Sequence, residues 1–254
     1  MPDFTAHNIL FDDGFQTFPQ GEPIRNSHVF LAARRLLSIL YPGDRSGVRI
    51  ADIGCLEGGY TIEFARLGFE AVGIEVRENN FANCTFVKER SGLQNLHFVH
   101  DNALNIDKYG PFDVIFCCGL LYHLDKPKSF IHHAAGSCRR AMIIHTHFAT
   151  EVGNQRYNLS ELAENEGVQG RWYTEHSDPD PARMMAAKWS SWINERSFWL
   201  RREALIQEIG NAGFDMVFEQ YDALGPEPCQ SMLSGYYKIH DRSMFCGVRT
   251  NPAQ

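Results

Sequence analysis

The amino-acid sequence predicts an α/β fold: a doubly wound, seven-stranded and mostly parallel β-sheet with helices on both faces. Two observations lead to this prediction. From Val48 onward, short apolar segments alternate with helical segments, a pattern typical of parallel strands joined by right-handed crossovers. The first apolar segment runs directly into a glycine-containing turn, which is where sheets of this class begin their ligand site.

The 254 residues divide into four segments. Residues 1–47 are predicted to form an N-terminal arm and a helix, and residues 48–147 the ligand-binding α/β core. Residues 148–199 break the alternation and contain all four tryptophans. Residues 200–254 complete the core with one helix and a closing pair of strands. We therefore expect one domain, with a cap inserted between the fifth strand and the next helix.

The bounds of the elements follow from apolar spacing and from residues that begin or end helices. Asn26 or Ser27 can cap the first helix, and Pro42-Gly43 ends it. The expected strands are 48–53, 71–75, 96–100, 112–118, 141–147, 214–221 and 244–249. The expected later helices are 61–67, 79–90, 127–138 and 201–211, with a further start at 158–162 in the insertion.

The composition of the chain limits the classes of partner that we expect it to bind. With 44% hydrophobic and 22% charged residues, the chain is an ordinary globular one. No apolar run reaches the roughly 20 residues of a membrane span, and the N-terminus lacks signal-peptide features, so we expect a cytoplasmic protein without a membrane partner. The net charge of −7 disfavours nucleic acid without excluding a local basic patch. Seven cysteines without a CxxC pair indicate reduced thiols.

The turn after the first strand contains Asp52, Gly54, Cys55 and Gly58. Glycines at these positions let the backbone approach a ligand closely and enter a helix. Leu56 stands where the dinucleotide fingerprint has its second glycine, which disfavours a nicotinamide oxidoreductase.

Polar residues also end the next two strands. Glu75 can accept hydrogen bonds from both hydroxyls of a ribose, and the pair Asp101-Asn102 can bind an adenine edge. Each has a structural alternative, Glu75 as a helix-starting charge and Asp101 as a helix cap. Because parallel strands end at one edge of the sheet, we expect the glycine turn, Glu75 and the pair Asp101-Asn102 to face the same crevice.

These residues resemble the motifs of class I S-adenosylmethionine (SAM)-dependent methyltransferases. Asp52-x-Gly54-Cys55-x-x-Gly58 is similar to their glycine motif, although Leu56 replaces a glycine found in many members. Glu75 is similar to their ribose-binding acid and Asp101-Asn102 to their adenine contact. The resemblance runs from about residue 48 to residue 249. It implies that the core binds SAM, with the methionine portion near Gly54 and Asp52 supporting the turn or reaching the ligand's amino group through water.

The fourth strand ends at Gly119, a further candidate for donor binding, and Tyr122 and His123 follow it. We expect both side chains at the mouth of the crevice as catalytic candidates. This segment and residues 197–199 also resemble the wobble-uridine carboxymethyltransferases of tRNA and their uncharacterised relatives. A tRNA- or RNA-modifying enzyme is therefore an alternative function.

His145 and His147 end the fifth strand and share one face, because side chains alternate along a strand. Either can serve as a general base for a hydroxyl acceptor, and either can equally be structural. A paired-histidine metal site has no third ligand at diagnostic spacing, so we predict no metal.

The insertion supplies the candidates for binding the acceptor. Arg171 can clamp a carboxylate or phosphate, and Trp172 and Tyr173 offer flat apolar walls. Core packing is the alternative for all three. For the remaining tryptophans, Trp189, Trp192 and Trp199, we expect core packing.

The leading functional hypothesis is methyl transfer from SAM to a small-molecule acceptor, with a hydroxyl of a sugar or secondary metabolite favoured. The alternatives are the RNA-modifying enzyme and a noncatalytic module that binds an adenosyl ligand. The identity of the acceptor and the oligomeric state remain open.

Overall fold

The computed structural model describes residues 2–154, 156–178, 180–235, 237 and 240–251. The strands are β1 Arg49–Ile53, β2 Glu70–Glu75, β3 Leu96–His100, β4 Phe112–Cys118, β5 Cys138–His147, β6 Ala163–Asn165, β7 Val168–Thr174, β8 Arg196–Leu200, β9 Met216–Gln220 and β10 Arg242–Val248. The helices are α1 His28–Leu40, α2 Gly59–Arg66, α3 Glu78–Ser91, α4 Pro127–Gly136, α5 Pro181–Ala186, α6 Arg202–Asn211 and α7 Pro228–Leu233.

The main sheet has seven strands in the order β3-β2-β1-β4-β5-β10-β9. Strands β1 to β5 run parallel, and β10 is antiparallel to both of its neighbours, β5 and β9. The predicted fold class is therefore confirmed, including the closing antiparallel pair. The chain order reverses direction between β1 and β4, and this is the point at which open α/β sheets bind ligands.

The sheet is stable because both of its faces are covered. Ile50 and Val114 belong to one buried hydrophobic cluster, and Ile53 and Ile115 to another. The first cluster includes the buried face of α1, whose start is capped by Ser27: its Oγ accepts the N–H of Phe30 at 3.2 Å. Within the described ranges, no helix has both the length and the apolar content to cross a bilayer.

The insertion between β5 and α6 forms a small antiparallel sheet in the order β6-β7-β8, and α5 lies in the chain between β7 and β8. The helix start expected at 158–162 is wrong. Leu159 forms a bridge with Tyr173, and the Ser160 hydroxyl accepts the N–H of Trp172 at 2.9 Å. This segment pairs with β7, and the pairing overrides its local helical preference.

Arg77, just beyond β2, fastens the insertion to the core. Its guanidinium donates to the carbonyl oxygens of Met184 at 3.1 Å and Ser190 at 2.9 Å, and its carbon lies 5.2 Å from the ring centre of Trp192. Further bonds reach Met185 and Ser191. One buried cation therefore organises the backbone of residues 184–191.

We expect Arg77→Lys to loosen this segment without unfolding the sheet. A lysine keeps the charge but cannot donate to several carbonyls in a fixed fork. Charge-assisted bonds contribute about 1.5–3 kcal/mol, so amide hydrogen exchange in residues 184–191 should accelerate at least about tenfold. Arg183→Gln is the matched control, because Arg183 lies on α5 and its guanidinium pairs with the exposed Asp178. Equal exchange in both variants would contradict the anchoring role.

Candidate functional site

A cavity of about 810 Å³ opens at the carboxyl ends of β1, β2 and β4, beneath the insertion. Its walls include residues of the N-terminal arm, the strand ends, the segment after β4, α4 and residues 188–194 of the insertion. Representative lining residues are His7, Asp52, Glu75, Gly119, His123 and Trp192.

The glycine turn shapes the floor of this cavity. Gly54 and Gly58 have φ angles of +70° and +76°, in the left-handed region that favours glycine. A Cβ atom on Gly58 would also lie 2.6 Å from the Phe98 ring, so a side chain there would displace the ring. Buried Cys55 lines the cavity, and its sulfur lies 3.8 Å from that of Cys84. Of the predicted turn residues, Asp52, Gly54 and Cys55 thus line the cavity, whereas Gly58 does not.

Asp52 is almost fully buried beneath this turn. Its Oδ2 accepts the hydroxyl of Thr61 at 2.6 Å. Burial raises the pKa of Asp52 to about 7, against the opposing effect of the Thr61 bond, and the nearby charge of Glu75 raises it further. The carboxyl lines the cavity, so a cationic ligand would favour its ionised form.

Glu75 lines the cavity at the end of β2. Its Oε2 accepts the N–H of Leu56 at 2.9 Å, and its Oε1 accepts the N–H of Arg77 at 2.8 Å. Burial raises the pKa of Glu75, while these bonds and the amide of Asn80 act against the rise. The carboxylate is therefore held in one orientation. Oε1 accepts both the N–H of Arg77 and the amide of Asn80, whereas Oε2 accepts only the N–H of Leu56 among the described residues and retains a lone pair for a ligand.

The end of β3 differs from the prediction. The carboxylate of Asp101 turns to the hydroxyl of Tyr109 at 2.6 Å and to the amide of Asn105 at 2.7 Å, and Asp101 does not line the cavity. The Tyr109 bond, followed by that of Asn105, lowers the pKa of Asp101 to about 2. Asn102 does line the cavity, although its side chain accepts the N–H of Leu104 at 2.9 Å. The predicted contact by the Asp101 side chain is thus corrected, because local partners occupy it.

Glu57, which sequence reasoning did not single out, joins the arm to the glycine turn. Its carboxylate accepts the backbone N–H groups of Thr5 at 2.8 Å, Ala6 at 3.1 Å and His7 at 2.7 Å, and it pairs with Lys188 of the insertion. Burial alone would raise the pKa of Glu57, but these bonds hold it below its usual value. Its place within a glycine turn was the only signal in the sequence.

On the other side of the cavity, Gly119, Tyr122 and His123 follow β4 and all line the wall, as predicted from sequence. The Nδ1 atom of His123 lies 2.9 Å from Oε1 of Glu175, which follows β7. The Glu175 side chain is buried and also accepts the hydroxyl of Ser197 at 2.7 Å. Burial raises the pKa of Glu175, but the bond and charge of His123 lower it overall. The cavity thus contains a histidine held by an ionised carboxylate.

His145 and His147 do not line the cavity, which corrects their predicted position at the crevice. His145 is buried with its Nδ1 3.6 Å from the sulfur of Cys118, and burial lowers its pKa well below the usual value. His147 stacks on Trp199 at 4.6 Å, and its Nδ1 donates to the carbonyl of His240 at 2.9 Å. Burial lowers the pKa of His147 to about 3. Strand β10 and the insertion cover this strand end, and burial favours the neutral form of both histidines.

Arg171, Trp172 and Tyr173 on β7 also lie outside the cavity lining, which corrects the prediction of an acceptor clamp and aromatic walls. The buried Arg171 donates to the carbonyls of Thr150, Glu151 and Ser160, at distances between 2.7 and 3.1 Å. The rings of Trp172 and Tyr173 pack against Phe198 and Trp199, respectively. These three residues support the fold of the insertion.

The three tryptophans expected in the core differ in how far they are exposed. Trp199 is 2% exposed, Trp192 is half-buried under Arg77, and Trp189 is 64% exposed at the rim of the cavity. The expectation is therefore wrong for Trp189.

A second residue that sequence reasoning missed is Arg242, the first residue of β10. It lines the cavity, and its guanidinium carbon lies 5.3 Å from the ring centre of Tyr122. Its position opposite His147 in the β5–β10 register brings it to the same edge of the sheet as the ends of β4 and β5. An arginine that begins a strand carries no sequence signal of this placement.

Comparison with known proteins identifies related chains. Residues 25–219 match the family model described as a methyltransferase domain. The ubiquinone biosynthesis O-methyltransferase of Ruegeria sp. (strain TM1040) is 34% identical over 87 residues, 34% of this chain and 35% of the relative. The tRNA U34 carboxymethyltransferase of Campylobacter hominis is 31% identical over 93 residues, 33% of this chain and 30% of the relative. The matched stretches span about a third of the length of these curated relatives.

Among solved structures, the chain is similar to the N-terminal domain of EvdMO1 determined in the presence of S-adenosylhomocysteine (SAH) and D-fucose. The TM-score is 0.65 at 22% identity, and the alignment covers 95% of this chain and 90% of that one. This likeness shows that the two chains share a fold.

The raised pKa of Asp52 predicts a specific dependence of stability on pH. Between about pH 4 and pH 7 the folded protein retains a proton that an unfolded aspartate, with a pKa near 3.9, has lost. The free energy of unfolding should therefore fall as the pH rises through this window. Asp52→Asn removes this contribution, so the variant should gain up to about 4 kcal/mol relative to the parent between pH 4 and pH 8.

Urea titrations at several pH values measure this difference. Asp12→Asn is the surface control, because the Asp12 side chain is 99% exposed. A difference between parent and Asp52→Asn that does not change with pH would mean that Asp52 titrates alike in the folded and unfolded states.

Proposed function

We propose that this chain, which belongs to the methyltransferase-domain family and is a class I enzyme that uses SAM, methylates a hydroxyl oxygen of a small-molecule acceptor. The observation that carries the proposal is the His123–Glu175 pair on the cavity wall. A histidine oriented by a buried carboxylate is the arrangement that general-base removal of a hydroxyl proton requires.

The part of the cavity next to β1, β2 and β3 would hold the donor. Glu75 would bind the ribose hydroxyls, and the backbone at Asn102 would contact the adenine. The glycine turn at Gly54 and Gly119 would hold the methionine portion, with Asp52 available to its ammonium group. The fixed Glu75 carboxylate at the ribose and the left-handed backbone of Gly54 at the turn support this orientation.

The reaction is an in-line displacement at the methyl carbon. The bond from oxygen to methyl forms as the bond from methyl to sulfur breaks, and the sulfur keeps the electron pair as SAH leaves. His123 takes the hydroxyl proton on Nε2, because its Nδ1–H donates to Glu175. Glu175 then stabilises the resulting imidazolium. The donor is already activated, so alignment of the partners and exclusion of water supply most of the acceleration.

A small acceptor is favoured over RNA. The cavity lies beneath the insertion, and Lys188 in its wall is already paired with Glu57. The net charge of −7 acts against a phosphate backbone as partner. The similarity to a tRNA carboxymethyltransferase keeps RNA as the alternative, whereas an oriented base in the cavity speaks against a noncatalytic module.

Glu75→Gln tests the orientation of the donor. The wild type should bind adenosine more tightly than 2′,3′-dideoxyadenosine, because only adenosine offers both hydroxyls to the carboxylate. Loss of the charged acceptor should weaken SAH binding by about 1.5–3 kcal/mol and reduce the preference for adenosine. Calorimetry measures both, with Glu78→Gln at the exposed start of α3 as control. An unchanged preference in Glu75→Gln would show that Glu75 only supports the turn.

His123→Gln tests the chemical step, using acceptors found by transfer of labelled methyl from SAM to a panel of hydroxylated small molecules. Turnover should fall by about 10²–10⁴-fold while SAH affinity stays unchanged, because the base acts on the acceptor. Glu175→Gln should show a smaller loss of turnover.

The surface variant His97→Gln is the control, since the His97 side chain is 51% exposed. Substitution of His145 or His147 should lower stability instead, because both residues are packing groups. Full turnover in His123→Gln would mean that alignment alone carries the reaction.

A further inference from the structure

Arg242 brings a positive charge into the acceptor side of the cavity that the protein does not balance. Its Nε atom is enclosed and has no hydrogen-bond partner among the described residues. The titratable groups that face it are the phenols of Tyr60, Tyr122 and Tyr157, the thiol of Cys118, which also hydrogen-bonds to it, and the imidazoles of His145, His147 and His240. None of these described neighbours is a carboxylate.

These neighbours do not neutralise the arginine. Burial raises the pKa of Tyr60 and Tyr122 above the usual phenol value and that of Cys118 to about 11, so all three are uncharged at neutral pH. A buried charge without a counterion is costly, and proteins usually pair such charges within the fold. Arg171 and Arg77 illustrate the usual solution, because carbonyl oxygens surround both guanidinium groups.

The proposed donor increases the imbalance. SAM brings a sulfonium cation to the region between Gly54 and Gly119, and an ideal Cβ on Gly119 would lie 3.7 Å from Nη2 of Arg242. Two cations would then share one poorly solvated cavity. An anionic group on the acceptor relieves both charges at once.

We propose that Arg242 binds a carboxylate of the acceptor, so that the substrate is a hydroxy acid. This inference rests on the proposed function and adds the substrate class. The planar guanidinium fork matches a carboxylate, and the hydroxyls of Tyr60 and Tyr122 are neutral donors in the same wall. A single arginine compensates one negative charge, which favours a carboxylate over a doubly charged phosphate.

The test uses small carboxylates and their neutral counterparts on protein saturated with SAH. Calorimetry compares benzoate with benzamide, and acetate with acetamide, for the wild type, Arg242→Gln and Arg242→Lys. The wild type should bind each acid at least tenfold more tightly than its amide. Arg242→Gln should abolish this preference, and Arg242→Lys, which keeps the charge but loses the fork, should retain part of it. Arg139→Gln, whose parent side chain is 51% exposed, should behave as the wild type.

A second arm separates the acceptor from the methionine carboxylate of the donor. SAH carries that carboxylate, whereas 5′-methylthioadenosine lacks it, so their affinities are measured for the same variants. Unchanged SAH affinity in Arg242→Gln, together with loss of the acid preference, supports the proposal. A loss of SAH affinity of tenfold or more, with 5′-methylthioadenosine unaffected, assigns Arg242 to the donor and overturns it. The absence of any acid preference in the wild type also overturns it.

Two readouts keep this result separate from folding and from the proposed function. Removal of an unbalanced cation should leave the melting temperature of ligand-free Arg242→Gln equal or higher, and a clear decrease would indicate a structural arginine. If that variant does not fold, Arg242→Lys is compared with the wild type instead. Failure of the wild type to bind SAH would refute the proposed function, whereas the carboxylate measurement can be repeated on the free protein.

Discussion

A buried carboxylate in the turn after β1 determines how the site is assembled. The Glu57 side chain has no exposed surface, and a carboxylate in such a place is stable only when donors surround it. The arm provides three backbone N–H groups, and the insertion provides Lys188. Two segments far apart in the chain therefore meet at the glycine turn, and residues of both become walls of the cavity. The requirements of one charge thus bring together the parts that enclose the ligand.

The sheet and the part of the cavity formed by the ends of β1 and β2 could be predicted because their signals are local. Each parallel strand is apolar along its length, and the strand ends of a parallel sheet share one edge. The sequence alone therefore predicts that Asp52 and Glu75 lie close together, as they do in the cavity. Local partners were harder to foresee. Asp101 has the expected position in the chain, but Tyr109 and Asn105 draw its carboxylate away from the cavity.

The acceptor side could not be predicted in the same way, because its residues depend on pairings across long stretches of chain. His123 is a visible candidate, whereas its partner Glu175 lies 52 residues away in an insertion with no clear alternation. The sequence alone does not distinguish the environment of Arg171 from that of Arg242. Carbonyl oxygens surround one, while phenols and a thiol surround the other, and only the folded chain distinguishes them.

The short segment at the end of β2 connects the cavity with the insertion. Glu75 faces the cavity, Arg77 grips the insertion, and the backbone N–H of Arg77 donates to the Glu75 carboxylate at 2.8 Å. If a nucleoside bound at Glu75 stiffens this segment, it also strengthens the contacts of Arg77 with the insertion, and by thermodynamic reciprocity those contacts strengthen nucleoside binding by the same factor. The release of such a nucleoside would then depend on the strength of a few carbonyl contacts that do not touch it.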